Sequence, residues 1–119
     1  MSKALGDRGE ALAAQHLERH GWSVTHRNFR MGRKEIDLVA RRDDTIVFVE
    51  VKTARPGRLA VEETIDARQR HRIRRAAVAW MSGHQREQRG VRRYRFDVFL
   101  VRRDASGAIT RIDHIPDAF

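Results

Sequence analysis

The sequence predicts an α/β fold in which a mixed five-stranded sheet is flanked by helices. The spacing of apolar residues alternates between about 3.6 and about 2 along the chain, in the order helix, three strands, helix, two strands. Two of the strand patterns are separated by only three polar residues, which is typical of an antiparallel hairpin. The order of elements therefore favours a mixed sheet with helices packed against it.

Length and composition indicate one folded unit. With 119 residues, of which 40% are hydrophobic, the chain has room for one hydrophobic core, so we expect residues 1–119 to form a single domain. The sequence contains no internal repeat and no low-complexity segment. It also contains no cysteine, which excludes disulfides, cysteine nucleophiles and thiolate zinc sites.

The distribution of apolar residues argues against a membrane protein. The longest apolar runs, residues 46–49 and 76–81, are far shorter than the ~20 residues that cross a bilayer. The N-terminus lacks the apolar core of a signal peptide. We therefore expect a cytoplasmic protein with no membrane partner.

The charge of the chain favours a polyanionic partner. A net charge of +9 attracts phosphate groups and releases counterions when they bind. DNA, RNA and anionic lipid all satisfy this criterion. Of the 25 basic residues, only Lys3, Lys34 and Lys52 are lysines. A GC-rich genome and the bidentate phosphate contacts of arginine explain that bias equally well.

The N-terminal part is predicted to be a helix followed by a strand. The helix covers residues 5–20, with Ser2 as a possible N-cap and Gly21 as its stop. At about 100° per residue, Glu10 lies at the edge of the apolar arc and borders the core without being buried. A strand over residues 22–27 follows, and residues 28–34 are predicted to be a polar connection.

Residues 35–41 and 45–52 are predicted to pair as a hairpin around Asp43 and Asp44. With those two aspartates as the loop, the numbers of opposed residues sum to 87. One face of this register is apolar and pairs Ile36 with Val51, Leu38 with Val49, and Ala40 with Val47. The other face pairs Glu35 with Lys52, Asp37 with Glu50, and Val39 with Phe48.

The C-terminal part is predicted to contain a long helix and a second strand pair. A loop at residues 55–59 leads to a helix over 62–82, whose apolar stripe contains Ile65, Ile73, Ala76, Ala77 and Trp80. Residues 83–90 are predicted to be a polar, mobile loop, and residues 93–102 and 108–115 to be strands. Asp97 is interpreted as a structural hydrogen-bond acceptor, and Trp22 and Trp80 as core residues.

Asp37 and Glu50 form the most informative pair. Opposed β-carbons are about 4.5–5.5 Å apart, and two carboxylates at that distance repel each other unless a cation or a raised pKa relieves the repulsion. Mg²⁺ suits such a pair because it binds oxygen ligands and retains waters, one of which attacks a phosphodiester. Lys52 follows on the same face and is placed to orient that water or to neutralise developing charge.

The Glu50-Val51-Lys52 triplet is weak evidence when taken alone. An acidic residue two positions before a lysine occurs about once by chance in a chain of this length. The apolar strand that precedes the triplet and the opposed Asp37 make it more specific. The alternative interpretation is a solvated salt bridge at the end of a strand.

Five segments together resemble the YraN family: residues 28–30 (Asn-Phe-Arg), 35–40 (Glu-Ile-Asp-Leu-Val-Ala), 48–53 (Phe-Val-Glu-Val-Lys-Thr), 95–98 (Arg-Phe-Asp-Val) and 114–119 (His-Ile-Pro-Asp-Ala-Phe). The resemblance implies a restriction-endonuclease-like fold of the PD-(D/E)XK superfamily, related to archaeal Holliday-junction resolvases. It also implies that Asp37, Glu50 and Lys52 occupy catalytic positions, and that Glu10 completes a metal site with the two other carboxylates.

Two positions depart from the family pattern. Lys34 stands where members often have glycine, and Gln69 stands where many have a lysine early in the long helix. These departures leave the acidic residues intact and bear on the contacts with phosphate.

Two groups of arginines are predicted to contact nucleic acid. Arg55 and Arg58 flank the loop after the acidic strand, where gripping a scissile strand and ordinary solvation are equally good interpretations. The long helix carries the second group, and the stretch 67–86 contains no acidic residue. This second group, for which a solvated helix face is the alternative, consists of Arg68, Arg70, Arg72 and Arg75.

His16 and His20 have the i, i+4 spacing of two zinc ligands, but the H-E-x-x-H pattern is absent. We interpret them as partly buried histidines of a helix face.

Three hypotheses about function follow. The first is a nuclease that depends on Mg²⁺ or Mn²⁺ and hydrolyses phosphodiester bonds of DNA, including branched or damaged DNA. The second is a nucleic-acid-binding protein with the same fold and a silent acidic site. The third is an accessory protein that docks a partner through residues 83–90 or Phe119. The sequence leaves open DNA against RNA, and whether the chain forms a homodimer.

Overall fold

The structure, a computed structural model, describes residues 3–54 and 65–119. Within them a five-stranded mixed sheet is flanked by two α-helices, which is a restriction-endonuclease-like α/β arrangement. The elements in chain order are α1 (Lys3–Arg19), β1 (Ser23–Met31), β2 (Lys34–Arg42), β3 (Thr45–Ala54), α2 (Ala67–Gly83), a 3₁₀ helix (Arg86–Gln88), β4 (Arg93–Arg103) and β5 (Ile109–Ile115).

The strands lie side by side in the order β1-β2-β3-β4-β5. Strands β1, β2 and β3 pair antiparallel in sequence, as do β4 and β5, whereas β3 and β4 are parallel. A parallel pair requires a crossover connection, and the chain between β3 and β4 contains α2. The parallel ladder is the longest in the sheet and runs from Thr45↔Arg93 to Ala54↔Arg102.

The two helices cover opposite faces of the sheet. On the α1 face, Ala13 and Leu17 pack with Leu38, Ala40, Val47, Val49 and Phe99. On the α2 face, Ala76, Ala77 and Trp80 pack with Ile36, Val39, Ile46 and Phe48. Alternate residues of β3 thus enter different cores, as the period of two requires. The predictions that Trp22 and Trp80 are core residues are confirmed, since both are buried.

The predicted register of the β2–β3 hairpin is confirmed next to the turn, whereas the predicted pairs Asp37–Glu50, Ile36–Val51 and Glu35–Lys52 are not part of the ladder. The ladder contains five pairs from Leu38↔Val49 to Arg42↔Thr45 around the Asp43–Asp44 turn. Asp43 adopts a φ of 54°, a conformation that aspartate tolerates better than most residues. The second predicted strand pair is also confirmed as β4 and β5, within one residue at each end.

The predicted polar connection over residues 28–34 is wrong. Strand β1 continues to Met31 and β2 begins at Lys34, so only two residues, including Gly32 at φ 63°, form the turn. The alternation of apolar and polar residues that would predict a strand is interrupted at Asn28, because its φ of 53° departs from the extended backbone.

The predicted placement of Ile36 on the face of Leu38 and Ala40 is also wrong. Ile36 packs in the core under α2, together with its ladder partner Phe29. The β1–β2 ladder has no pair between Asn28 and Asp37, so both strands change face at this point. Asp37 therefore has no ladder partner in β1.

Helix α2 starts later than predicted. Asp66 accepts a hydrogen bond from the backbone of Gln69, and the Gln69 side chain accepts one from the Asp66 backbone, which forms a capping box. The helix therefore begins at Ala67, and Ile65 is buried against Val98 and Leu100 before the helix starts. Residues 62–64, the predicted loop at 55–59 and the possible N-cap Ser2 lie outside the described residues.

The connection between α2 and β4 is held by hydrogen bonds. The Gln88 amide donates to the carbonyls of Met81 at 2.7 Å and His84 at 2.9 Å, and Tyr94 donates to Gln88. At the C-terminus, Phe119 stacks on Phe96 with ring centroids 5.2 Å apart. Among the described helices, none has the length and hydropathy needed to cross a membrane.

Candidate functional site

Asp37 lies where the β2–β3 ladder ends. The last pair is Leu38↔Val49, and beyond it the Asp37 carboxylate accepts a 2.7 Å hydrogen bond from the backbone N–H of Val51. Backbone N–H groups of a strand point along the plane of the sheet. The Asp37 carboxylate is therefore held between β2 and β3, in the plane of the sheet.

Glu10 reaches Asp37 from α1. The preceding Gly9 lets the helix approach closely, because a β-carbon there would lie 3.0 Å from Val101 Cγ2 and 3.5 Å from Val51 Cγ1. Burial raises the pKa of Glu10, and the charge of Asp37 raises it further, while a hydrogen bond from Asn28 opposes the shift. Glu10 is half-buried, as predicted from its place at the edge of the apolar arc.

Glu50 and Lys52 project from β3 on the side of α2. The Lys52 Nζ lies 3.4 Å from Glu50 Oε1, and the Glu50 side chain is only 14% exposed. Burial and then the charge of Asp37 raise the pKa of Glu50 to about 8, although Lys52 opposes the shift. Burial also raises the pKa of Asp37, against the hydrogen bond from Val51. The surroundings of Glu50 therefore disfavour its ionised form.

The structure places the four predicted residues within range of electrostatic interaction with one another, with Asp37 between the two helical layers' carboxyl groups. Asp37 interacts with Glu10 and Lys52 and raises the pKa of Glu50. Glu10 approaches from the α1 layer and Glu50 from the α2 layer. Their oxygens are not a tight trio: in the described parts of the chain, the only three His, Asp or Glu side chains with ligand atoms all within 4.8 Å of one another are His26, His84 and Glu87.

A cleft of about 340 Å³ opens beside Glu50 and Lys52. Its other walls come from the β1–β2 turn and from α2, and its lining residues are Arg33, Lys34, Glu35, Gln69, Arg72, Ile73 and Arg75. Basic side chains from two separate elements thus face the buried Glu50. A negatively charged chain laid in this cleft would contact them together.

The predicted phosphate contacts fall into three groups. Arg72 and Arg75 line the cleft. Arg68 is exposed and Arg70 is half-buried on the same helix, and neither residue lines the cleft. Arg55 and Arg58 lie outside the described residues.

Arg33 and Glu35 were not among the predicted site residues, although both line the cleft. Their position follows from the two-residue turn between β1 and β2, which the sequence reading missed. Lys34 and Gln69, the two departures from the family pattern, also line the cleft. The turn residue Gly32 was the feature of the sequence that pointed to this hairpin.

Asp97 serves the structure, as predicted. It is fully buried and accepts two hydrogen bonds from Arg95 at 2.8 Å, one from His114 at 2.6 Å and one from the Asp117 backbone at 2.9 Å. Although burial alone would raise the pKa of Asp97, the hydrogen bonds from His114 and Arg95 lower it. Its oxygens are occupied within the protein.

Comparisons with known proteins agree with the resemblance. The model of the "Uncharacterised protein family UPF0102" matches residues 9–101, a range that contains all four residues of the acidic site. A UPF0102 protein of Geobacter metallireducens is 41% identical over 119 residues, covering 99% of this chain and 93% of the relative. One from Frankia casuarinae is 40% identical over 98% of this chain and 96% of its own. A UPF0102 protein of Caldicellulosiruptor bescii is 36% identical, covering 98% of this chain and 98% of the relative.

Proposed function

Because this chain belongs to the uncharacterised protein family UPF0102, the YraN family, we propose that it is a divalent-metal-dependent nuclease that hydrolyses phosphodiester bonds of DNA. One observation carries the proposal. Two half-buried carboxyl groups, Asp37 and Glu50, lie close enough for the charge of Asp37 to raise the pKa of Glu50, with the Lys52 ammonium 3.4 Å from Glu50. Such an arrangement is costly, and perturbed acid pairs of this kind are enriched at functional sites.

The donor set suits Mg²⁺ or Mn²⁺. It consists of carboxylate oxygens, which hard divalent cations prefer, and Mg²⁺ needs only one or two of them because it keeps its waters. Asp37 and Glu50 would hold the ion, with Glu10 as a further carboxylate beside Asp37. When bound, the cation supplies an acidified water and stabilises negative charge on the phosphate oxygens.

The residues of the chain have separable roles in this proposal. The Val51 N–H orients Asp37, so its carboxylate needs no rearrangement to accept a ligand. The raised pKa of Glu50 would be offset by a cation bound between it and Asp37, which would favour the ionised carboxylate. Lys52 Nζ, 3.4 Å from Glu50, orients the attacking water or offsets the charge that develops on the phosphate.

The cleft supports a nucleic-acid substrate. Its lining contains Arg33 and Lys34 on one wall and Arg72 and Arg75 on the other, and these basic side chains would attract phosphate groups. The net charge of +9 adds a long-range attraction for a polyanion. We propose DNA as the substrate, with branched and damaged DNA as the forms to test first.

The second candidate function is nucleic-acid binding without catalysis. It is favoured by one observation, the arrival of Glu10 and Glu50 from different layers without forming a tight trio. In that case the basic walls of the cleft hold the nucleic acid and the carboxyl groups bind no catalytic cation.

The deciding experiment is a cleavage assay with Mg²⁺ or Mn²⁺ on four-way junctions, nicked duplex, intact duplex, single-stranded DNA and RNA. The wild type is compared with Asp37→Asn and Glu50→Gln, and with Glu18→Gln as a control at an exposed carboxylate of α1. We expect cleavage in the wild type and the control, and none in the two site variants. Salt-sensitive binding by all four proteins, without cleavage of any substrate, would establish the second candidate instead.

A further inference from the structure

A second group of potential ligands lies at the C-terminal end of α2. It contains His26 from β1, His84 at the C-cap of α2 and Glu87 from the 3₁₀ helix. Arg75, the cleft residue of α2 that is nearest to His84 in the sequence, is nine positions away, which corresponds to about 13.5 Å along a helix. The group is therefore distinct from the acidic site.

The three side chains converge on one small volume. One ligand atom from each lies within 4.8 Å of the others. His26 Nε2 is 2.7 Å from Glu87 Oε2, and the rings of His26 and His84 have centroids 4.7 Å apart. Both histidines are half-buried, and Glu87 is exposed enough for an ion to enter from solvent.

His84 is oriented in the way that metal-binding histidines are. Its Nδ1 lies 2.7 Å from the carbonyl oxygen of Trp80, and because a carbonyl can only accept, Nδ1 carries the proton. The lone pair of the neutral ring is then on Nε2, the atom left for a metal. Stacking on Trp80, with centroids 4.7 Å apart and an interplanar angle of 8°, fixes the plane of the ring.

The end of the helix adds an attraction for a cation. The last carbonyl groups of α2 carry partial negative charge, and the last turn contains no basic side chain to offset it. Arg41 does approach Glu87, but it donates to the backbone carbonyl at 3.0 Å and not to the carboxylate. The Glu87 carboxylate is left for His26 or for an ion.

We propose that His26, His84 and Glu87 bind a divalent transition-metal ion of the Zn²⁺ type through two imidazole nitrogens and one carboxylate oxygen. The ion takes the place of the proton shared by His26 Nε2 and Glu87. Two histidines and a carboxylate leave a coordination position for water, and this donor set selects Zn²⁺ over Mg²⁺. The bound ion joins β1 to the end of α2 and to the 3₁₀ helix. The competing explanation is a His26–Glu87 ion pair stabilised by ring stacking alone.

The test is Zn²⁺ affinity, measured by competition with a chromophoric chelator in full-length protein carrying Glu50→Gln, so that the acidic site contributes little. In that background, His84→Gln and Glu87→Gln are compared with His20→Gln. His20 is a matched control because its Nδ1 also contacts the carbonyl four residues back, that of His16, at 2.7 Å, without belonging to the group. Glu87 is 41% exposed, so its substitution keeps the fold even if that of His84 does not.

We expect one Zn²⁺ per chain, with an affinity that falls by at least about 100-fold in His84→Gln and Glu87→Gln and is unchanged in His20→Gln. Co²⁺ should give the intense visible absorption of a four-coordinate site, and Glu87→Gln should remove it. Equal Zn²⁺ affinity in all four proteins, or no binding in the parent, would overturn the proposal. Neither result bears on nuclease activity, which is measured with Mg²⁺ and depends on Asp37.

Discussion

Asp37 accepts its 2.7 Å hydrogen bond from the Val51 N–H in the position where a β2 carbonyl would otherwise continue the ladder. The side chain thus replaces one backbone partner and places a charged group inside the sheet. Two neighbouring features depend on it: the shape of the hairpin and the ionisation of Glu50.

The first prediction separates these two roles of Asp37. Asp37→Asn keeps an acceptor for Val51, whereas Asp37→Ala leaves that N–H without a partner, at a cost of about 1–3 kcal/mol. Urea unfolding should show Asp37→Ala to be less stable than Asp37→Asn by roughly that amount. Equal stabilities would mean that water satisfies the N–H and that the hydrogen bond contributes little.

The second prediction concerns the pH dependence of stability. The pKa of Glu50 is raised from 4.5 to about 8 in the folded protein. The protonated side chain therefore contributes fully to the free energy of unfolding below pH 4.5, and this contribution is lost as the pH rises towards 8. The slope for one such proton is about 1.4 kcal/mol per pH unit. The stability of Glu50→Gln relative to wild type should therefore increase between pH 5 and pH 8, measured by urea unfolding at several pH values. Parallel curves for the two proteins would show that Glu50 ionises normally.

The third prediction concerns metal binding by the acidic site. A cation that binds only the folded state stabilises it by about 2.7 kcal/mol at a concentration of 100 times Kd. Mg²⁺ or Mn²⁺ should raise the Tm of the wild type, and more at pH 8 than at pH 5.5, because protons compete for Glu50. Asp37→Asn should abolish the increase and Glu18→Gln should keep it. A similar increase in both variants would place the ion elsewhere.

The fourth prediction concerns the walls of the cleft. Arg72→Ala and Arg75→Ala should weaken DNA binding to a similar degree for all sequences, and each should reduce the slope of log K against log salt by about 0.9 if it contacts one phosphate. Arg19→Ala, at an exposed residue of α1 outside the cleft, is the control. Fluorescence anisotropy over a salt series measures the slopes. An equal loss for Arg19→Ala would indicate that only overall charge matters.

The fifth prediction concerns Asp97. Its substitution by asparagine leaves Arg95 without its buried counter-charge and changes the contact with His114, which should cost about 3–5 kcal/mol. Thermal unfolding should show the loss, and any protein that remains folded should keep its Mg²⁺ response. A loss of less than about 1 kcal/mol in the free energy of unfolding would mean that the hydrogen bonds of Asp97 contribute little to stability.

The sequence predicted most where short-range rules apply. The Asp43–Asp44 loop determined the β2–β3 register as far as Leu38↔Val49, which places Asp37 in the region of Glu50 and Lys52 although Asp37 and Glu50 do not form a ladder pair. The sequence-based prediction failed at Asn28, which has a positive φ and lies where β1 and β2 change face. The pattern of apolar residues does not indicate this change. That reversal moved Ile36 to the other core.

Other features depend on tertiary packing and have no local pattern. The approach of His26 to His84 joins residues 58 positions apart, since 84 minus 26 is 58, and no spacing motif describes it. The contribution of Arg33 to the cleft depends on the β1–β2 turn packing near α2. The capping box at Asp66 could have been read from the sequence, and it would have corrected the start of α2.

Strand β3 is the middle strand of five, and the stretch from Thr45 to Ala54 is paired with β4 along its whole length. The backbone at Glu50 and Lys52 is consequently held by its pairing with Val98 and Leu100 of β4. The β1–β2 turn and α2, which form the other walls of the cleft, lie outside this ladder. For the proposed nuclease, the walls of the cleft could therefore adjust to a substrate while the strand that carries Glu50 and Lys52 keeps its place.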